Sequence, residues 1–193
     1  MLSKIFFPFT FIFLLLTQSN VFSQEDFQSD SSWIDFIDEV VQVDCYGGEF
    51  EVTGNYTFRN NKGNMVVAKV FYPFPVDEKY NYPHEIYLEE FDYKTLESGV
   101  SWAMAFDSSE TKSFDIRYKQ KTNDKSAKYI LYTTQHWENP VLNAKFIISV
   151  PKKFLNVKIS YPPSKTEEKD NRIFYSFVIK NLKTIKDIII TWN

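Results

Sequence analysis

The sequence predicts an all-β protein: a two-layer antiparallel β-sandwich of about nine or ten strands following a cleaved signal peptide. Three observations predict it. Apolar and polar residues alternate with period two in one segment after another, the pattern of half-buried strands. Clusters of Gly, Asn, Asp, Ser and Pro separate those segments at short intervals. Helical periodicity is nearly absent. Two sheets packed face to face satisfy all three, and a closed barrel stays open as the alternative, because it too alternates inside and outside along every strand.

The first element is not a strand. Lys4 supplies a positive start, Ile5 to Leu16 an apolar core broken by Pro8 and Thr10, and Val21-Phe22-Ser23 a small-residue cleavage site before Gln24. The core is shorter than the roughly 20 residues a membrane span needs, and the polar stretch Thr17-Gln18-Ser19-Asn20 ends it. Residues 1–23 are therefore read as a signal peptide, residues 24–32 as a flexible lead-in rich in Ser, Gln and acids, and 33–193 as one β-sandwich domain. The mature chain has no transmembrane segment, since its longest late apolar run stops at Ile190. No cysteine near the cleavage point offers a thiol for lipid attachment. The expected location is exported: periplasmic, cell-surface or secreted.

Within the domain, Val40 to Tyr46 and Glu49 to Arg59 read as a hairpin closed by Gly47-Gly48. In its second strand Phe50, Val52, Gly54, Tyr56 and Phe58 share one face, with Glu51, Thr53, Asn55, Thr57 and Arg59 on the other. After the turn at Asn60 to Asn64, Met65 to Phe74 is continuously apolar and reads as a central strand ended by Pro73 and Pro75. Glu85 to Phe91 and Val100 to Phe106 are shorter strands, with room for a helical turn at Asp92 to Leu96. Ser113 to Lys121 alternates, with Phe114, Ile116 and Tyr118 facing in. Ala127 to Thr134, Leu142 to Val150, Phe154 to Tyr161, Arg172 to Lys180 and Asp187 to Trp192 complete the set, with Pro162 to Asn171 as an exposed charged loop.

Composition narrows the function classes. The net charge of −3 becomes slightly more negative once Lys4 is removed, so no basic field favours nucleic acid, which is set aside as a partner. Cys45 is the only cysteine, so the chain has no internal disulfide. It falls in phase with Val41 and Val43 and reads as a small buried hydrophobe, with a nucleophile or an intermolecular bridge as the functional alternative.

No constellation of residues announces a reaction, and no catalytic residue, metal ligand or cofactor is assigned. His84 and His136 are the only histidines; with a carboxylate they could hold zinc, but each stands alone beside a proline-marked loop rather than in a ligand pair. There is no G-x-S-x-G elbow. The acids Glu89-Glu90-Asp92 and Glu167-Glu168-Asp170 match no calcium-loop pattern. Asn55-Tyr56-Thr57 fits a glycosylation acceptor inside a strand. The aromatic wealth of Tyr72-Pro73-Phe74-Pro75 and Tyr80-Asn81-Tyr82-Pro83 can serve a core or bind a ligand, because flat rings stack on sugars and anchor interfaces. Tyr72, Phe74, Tyr80, Tyr82 and Trp137 are the candidate binding residues.

Several stretches resemble bacterial exported β-sandwich domains of uncharacterised function, over residues 102–192. They are Trp102 and Phe106 before Glu110-Thr111-Lys112, Ile116-Arg117-Tyr118, Tyr129 to Thr134, the Trp137 to Pro140 loop, and Asn181-Leu182-Lys183 before Asp187-Ile188. Gln135 stands where such domains usually carry Gly. The resemblance implies export and fold and attaches no reaction. The resulting expectation is a non-catalytic extracytoplasmic β-sandwich that binds a protein or cell-envelope component through loops or an edge strand. A carbohydrate-binding module using exposed aromatics is the alternative, and a metal-dependent hydrolase a third reading.

Overall fold

The structure, a computed structural model, describes residues 33–193; the expected signal peptide and lead-in lie outside the described residues. The elements in chain order are β1 (Ile34–Cys45), β2 (Glu49–Asn60), β3 (Val66–Pro73), β4 (Glu85–Tyr87), β5 (Lys94–Leu96), β6 (Gly99–Phe106), β7 (Thr111–Lys121), β8 (Ser126–Tyr129), a 3-10 turn (Tyr132–His136), β9 (Val141–Pro151), β10 (Lys158–Ile159), β11 (Lys165–Lys169), β12 (Arg172–Leu182) and β13 (Ile188–Thr191).

Seven strands form one sheet in the order β11-β12-β9-β1-β2-β7-β4, and two three-stranded sheets run β3-β6-β5 and β10-β13-β8. Paired residues point to the same side of a sheet, so Phe114, Tyr56, Glu39 and Ala144, matched across β7, β2, β1 and β9, share one inner face. Both small sheets cover that face. Trp102 of β6 meets Phe114 at 5.0 Å and Tyr72 of β3 meets Tyr56 at 5.5 Å, while Tyr129 of β8 meets Phe146 of β9 at 6.2 Å. The second layer is thus split in two, with its seam over β1, the middle strand of the seven. The all-β sandwich expected from the alternation is the observed architecture. A barrel would need β4 to pair with β11, and these stand at opposite edges.

All pairings are antiparallel except β1 with β9, which run parallel from Asp38↔Asn143 to Asp44↔Ser149. The β1–β2 hairpin turns where expected: Tyr46 N donates to Glu49 O at 2.9 Å, and Gly47 sits at φ 100°, where a side chain would be strained. β1 starts six residues before the expected boundary and carries a bulge, since Phe36 pairs with Phe58 but Asp38 with Thr57. The extra residue reverses the inward phase. Ile34 and Phe36 face the core before it, and Glu39, Val41, Val43 and Cys45 after it.

Other departures have physical causes. Lys165–Lys169 lies within the expected charged loop but forms edge strand β11, turning into β12 through Asp170 and Asn171 at φ 51° and 61°. Every β11 residue is exposed, so burial leaves no mark on its sequence, and its charges protect the sheet edge. The expected strand Phe154 to Tyr161 shrinks to Lys158–Ile159 because Asn156 takes a left-handed conformation, φ 51°. Lys94–Leu96 pairs with β6 rather than forming a helical turn. Ala127 to Thr134 stops at Tyr129, because Asp187 Oδ1 accepts from Leu131 N at 2.8 Å and Tyr132 N at 3.0 Å and draws the chain into the 3-10 turn. Among the described residues the strands number thirteen rather than nine or ten, and β5 and β11 are the ones with no counterpart among the expected segments.

Arg172 links three strands at one end of the large sheet. It donates through Nη2 to Cys45 O at 3.1 Å and Ser149 O at 3.0 Å, and through Nε to Ser149 Oγ at 2.5 Å, with its guanidinium 4.9 Å from the Tyr46 ring. Arg172→Ala is expected to lower stability by about 1–3 kcal/mol in urea unfolding, because two partly buried carbonyls lose a charged donor.

Candidate functional site

The five candidate aromatics do not form one surface. Tyr72, Phe74 and Tyr80 are core residues. Tyr72 Oη is 2.8 Å from Tyr56 Oη, Phe74 packs 4.8 Å from the Tyr118 ring, and Tyr80 Oη bonds Ser126 Oγ at 2.9 Å. Tyr82 is half-buried against Phe74 and donates to Gly99 O at 2.9 Å. Trp137, also half-buried, lies on Phe36 and Phe58 at 5.7 and 5.5 Å. Tyr80 instead packs on Phe50, eight positions along β2 from Phe58, or roughly 27 Å by strand rise. A sugar platform needs coplanar exposed rings on one side, and three of these five face the interior.

The segment Phe74 to Pro83, with its paired aromatic motifs, acts as a plug over the end of the sandwich. Gln120 Nε2 donates to Pro75 O at 2.6 Å and Asn81 O at 2.5 Å, Asn81 N donates to Lys121 O at 3.1 Å, and Asn123 N donates to Lys79 O at 2.7 Å. His84 stands 3.7 Å from Glu49 and 3.9 Å from Glu85, whereas His136 sits in the 3-10 turn near Gln135. Among the described residues, no three of His, Cys, Asp and Glu are grouped to hold a metal ion. Cys45 is buried, and burial pushes its thiol up to about 12, partly offset by Arg172, so it is no nucleophile.

The chemically unusual group was not among the candidates. Glu39 is 2% exposed, on the inner face of β1 beneath the seam between the small sheets. Its Oε2 accepts from Tyr129 Oη at 3.0 Å. Tyr129 Oη lies 2.9 Å from Tyr56 Oη, which lies 2.8 Å from Tyr72 Oη. One hydrogen-bonded chain therefore joins β1 and β2 of the large sheet to β8 in one small sheet and β3 in the other. Among the described residues, Glu39 Oε1 has no partner. Burial drives the carboxyl up to about 8, against the smaller lowering effect of the Tyr129 hydroxyl, so it is neutral at pH 7. Burial likewise pushes Tyr56, Tyr72, Tyr129 and the neighbouring Tyr118 well above the ordinary phenol range. The arrangement can hold a proton and couple strands. Neither of two shallow surface hollows, one around Asn156 and Trp192 and one around Asp35 and Leu142, is lined by these groups.

The sequence signal for Glu39 was present but masked. Counting back by twos from Cys45 through Val43 and Val41 reaches Glu39, but the bulge gives Ile34 and Phe36 the opposite phase.

No protein-family model matches the sequence, and no curated protein matches it. Solved structures do match in fold. A candidate nutrient-binding protein of Legionella pneumophila superposes with a TM-score of 0.60 at 11% identity, over 82% of this chain and 66% of that one. An M1 zinc metallopeptidase of Deinococcus radiodurans gives 0.53 at 9% identity, over 82% of this chain and 42% of that one. The chain spans less than two thirds of the length of each. The likeness is one of fold.

Proposed function

We propose that this chain is a non-catalytic extracytoplasmic β-sandwich that binds a protein partner of the cell envelope through the outer face of β3. The observation that carries this reading is an exposed apolar patch. Met65, just before β3, and Val67 within it are 63% and 61% exposed, and register places exposed Ala105 beside Val67 and exposed Ala103 beside Lys69, two pairs further along. Exposed apolar surface of this kind marks interaction sites. Among the described residues β3 pairs with β6 and stands at the end of its sheet order, whereas β11, at the end of the large sheet, presents charges. The fold shared with a candidate nutrient-binding protein supports a binding role, and the expected signal peptide supports export. The pinned Phe74 to Pro83 plug and its inward rings give less support to a glycan platform, and the separate surroundings of the two histidines give none to a hydrolase.

Purified 24–193 used as bait on envelope extracts is expected to enrich a partner protein, and Val67→Glu to reduce that capture at least tenfold without changing the far-UV spectrum. Equal capture by both proteins would place the interface elsewhere.

A further inference from the structure

We propose that Glu39 is a proton switch built into the fold: a buried carboxyl that, while neutral, joins the three sheets through Tyr129, Tyr56 and Tyr72, and that loosens this junction when it loses its proton. Geometry carries the inference. The chain Glu39–Tyr129–Tyr56–Tyr72 is the point where all three sheets share hydrogen bonds, and it sits where the second layer is divided. Among the described residues, the groups facing Glu39 are phenols or apolar. β2 brings Tyr56, β8 Tyr129, β3 Tyr72 and β7 Tyr118 to this cluster, and β9 presents Ala144 opposite Glu39. Burial and the Tyr129 hydroxyl are the influences acting on the carboxyl, so among the described residues no cation stands ready to receive its charge.

A carboxylate at this position would keep one oxygen without a donor in an apolar setting. Water is the nearest remedy, and it must enter at the seam. The element best able to yield is β8: four residues long, at the end of its sheet and paired with β13 alone. Ionisation of Glu39 therefore frees β8 and the following 3-10 turn before the hairpin β1–β2 is affected.

The direction with pH follows from linkage. The folded carboxyl lies at about 8 against 4.5 for the free group, so the folded state holds a proton that the unfolded state releases between those values. Glu39's contribution is fully present below 4.5 and is lost as pH rises through about 8.

Three measurements test this. A carbon-13 NMR titration of the Glu39 carboxyl in the wild-type protein is expected to show its midpoint above pH 7. Over pH 6 to 9 the wild-type Tm is expected to fall by about 5 °C more than that of Glu39→Gln, which keeps an acceptor for Tyr129 but does not titrate. Backbone exchange in β8, corrected for intrinsic base catalysis, should accelerate over the same range in the wild type only. A carboxyl that titrates near the ordinary value of about 4.3, or a variant with the wild-type slope, overturns the proposal. If Glu39→Gln does not fold, the wild-type carboxyl titration decides by itself.

Discussion

Tyr129→Phe is expected to unfold at lower urea than the wild type, by an amount equivalent to about 2–4 kcal/mol at pH 7. The substitution removes one oxygen atom and almost no volume, so a cavity cannot explain a loss of that size. What changes is hydrogen-bond satisfaction. Glu39 Oε1 already lacks a partner, and Tyr129 supplies the one hydrogen bond to Oε2. Without it the carboxyl is buried with neither oxygen engaged as an acceptor, and Tyr56 keeps only Tyr72. An unsatisfied buried polar group costs about 1–3 kcal/mol, and two groups are affected here. A second readout separates this account from general weakening. The Tyr129 hydroxyl lowers the Glu39 carboxyl, so its removal sends that carboxyl further up, and the fall of stability with pH extends to higher pH. A loss below about 0.5 kcal/mol would show that the triad does not hold the sheets together.

Gly54→Ala is expected to have an effect of similar or greater size, about 3–5 kcal/mol in the same assay. A Cβ on Gly54 would stand 2.2 Å from Tyr56 Oη and 2.5 Å from two of its ring carbons. Tyr56 lies back along β2 over the bare Cα of Gly54, which is what lets its hydroxyl reach both Tyr72 and Tyr129. A long side chain at the surface would swing away at small cost. Tyr56 cannot, because it is buried, stacks on Phe114 at 5.3 Å and holds two hydrogen bonds. Overpacking by one methyl costs about 1–3 kcal/mol, and disruption of the triad adds to it. In a double-mutant cycle with Tyr56→Phe the two losses are expected to be clearly non-additive, since the phenylalanine lacks the atom that meets the new methyl first. Strict additivity would remove Tyr56 from the explanation.

These two positions show how much of the site the sequence carries. Gly54 stands in the inward phase with Val52 and Tyr56, where a missing side chain signals close approach of another group, but nothing local says that the group is Tyr56's own ring. Glu39 also shares its phase with buried residues, yet a charge in that position reads as a strand boundary, and the bulge at its N-terminal side hides the continuity. The rings at Tyr72, Phe74 and Tyr80 were legible as a cluster, with core and ligand both open as its role. An aromatic side chain suits a half-buried strand, a core and a binding surface equally well, so the side of the sheet it occupies decides its role.

By itself the sequence determined the all-β class, the hairpin at Gly47-Gly48, the inward faces of β2, β7 and β9, and a buried Cys45. Each follows from the pleat, which turns successive residues to opposite sides and needs no knowledge of distant partners. Tertiary structure alone decided the parallel contact of β1 with β9, the splitting of the second layer, strand β11, and the chain that brings Tyr129 to Glu39 across 90 positions of sequence. Backbone pairing leaves little trace in residue type where nothing is buried, and a hydrogen bond between remote side chains leaves none. A carboxyl that alternation would place in the core becomes a proton-binding group only when three tyrosines from other strands close around it.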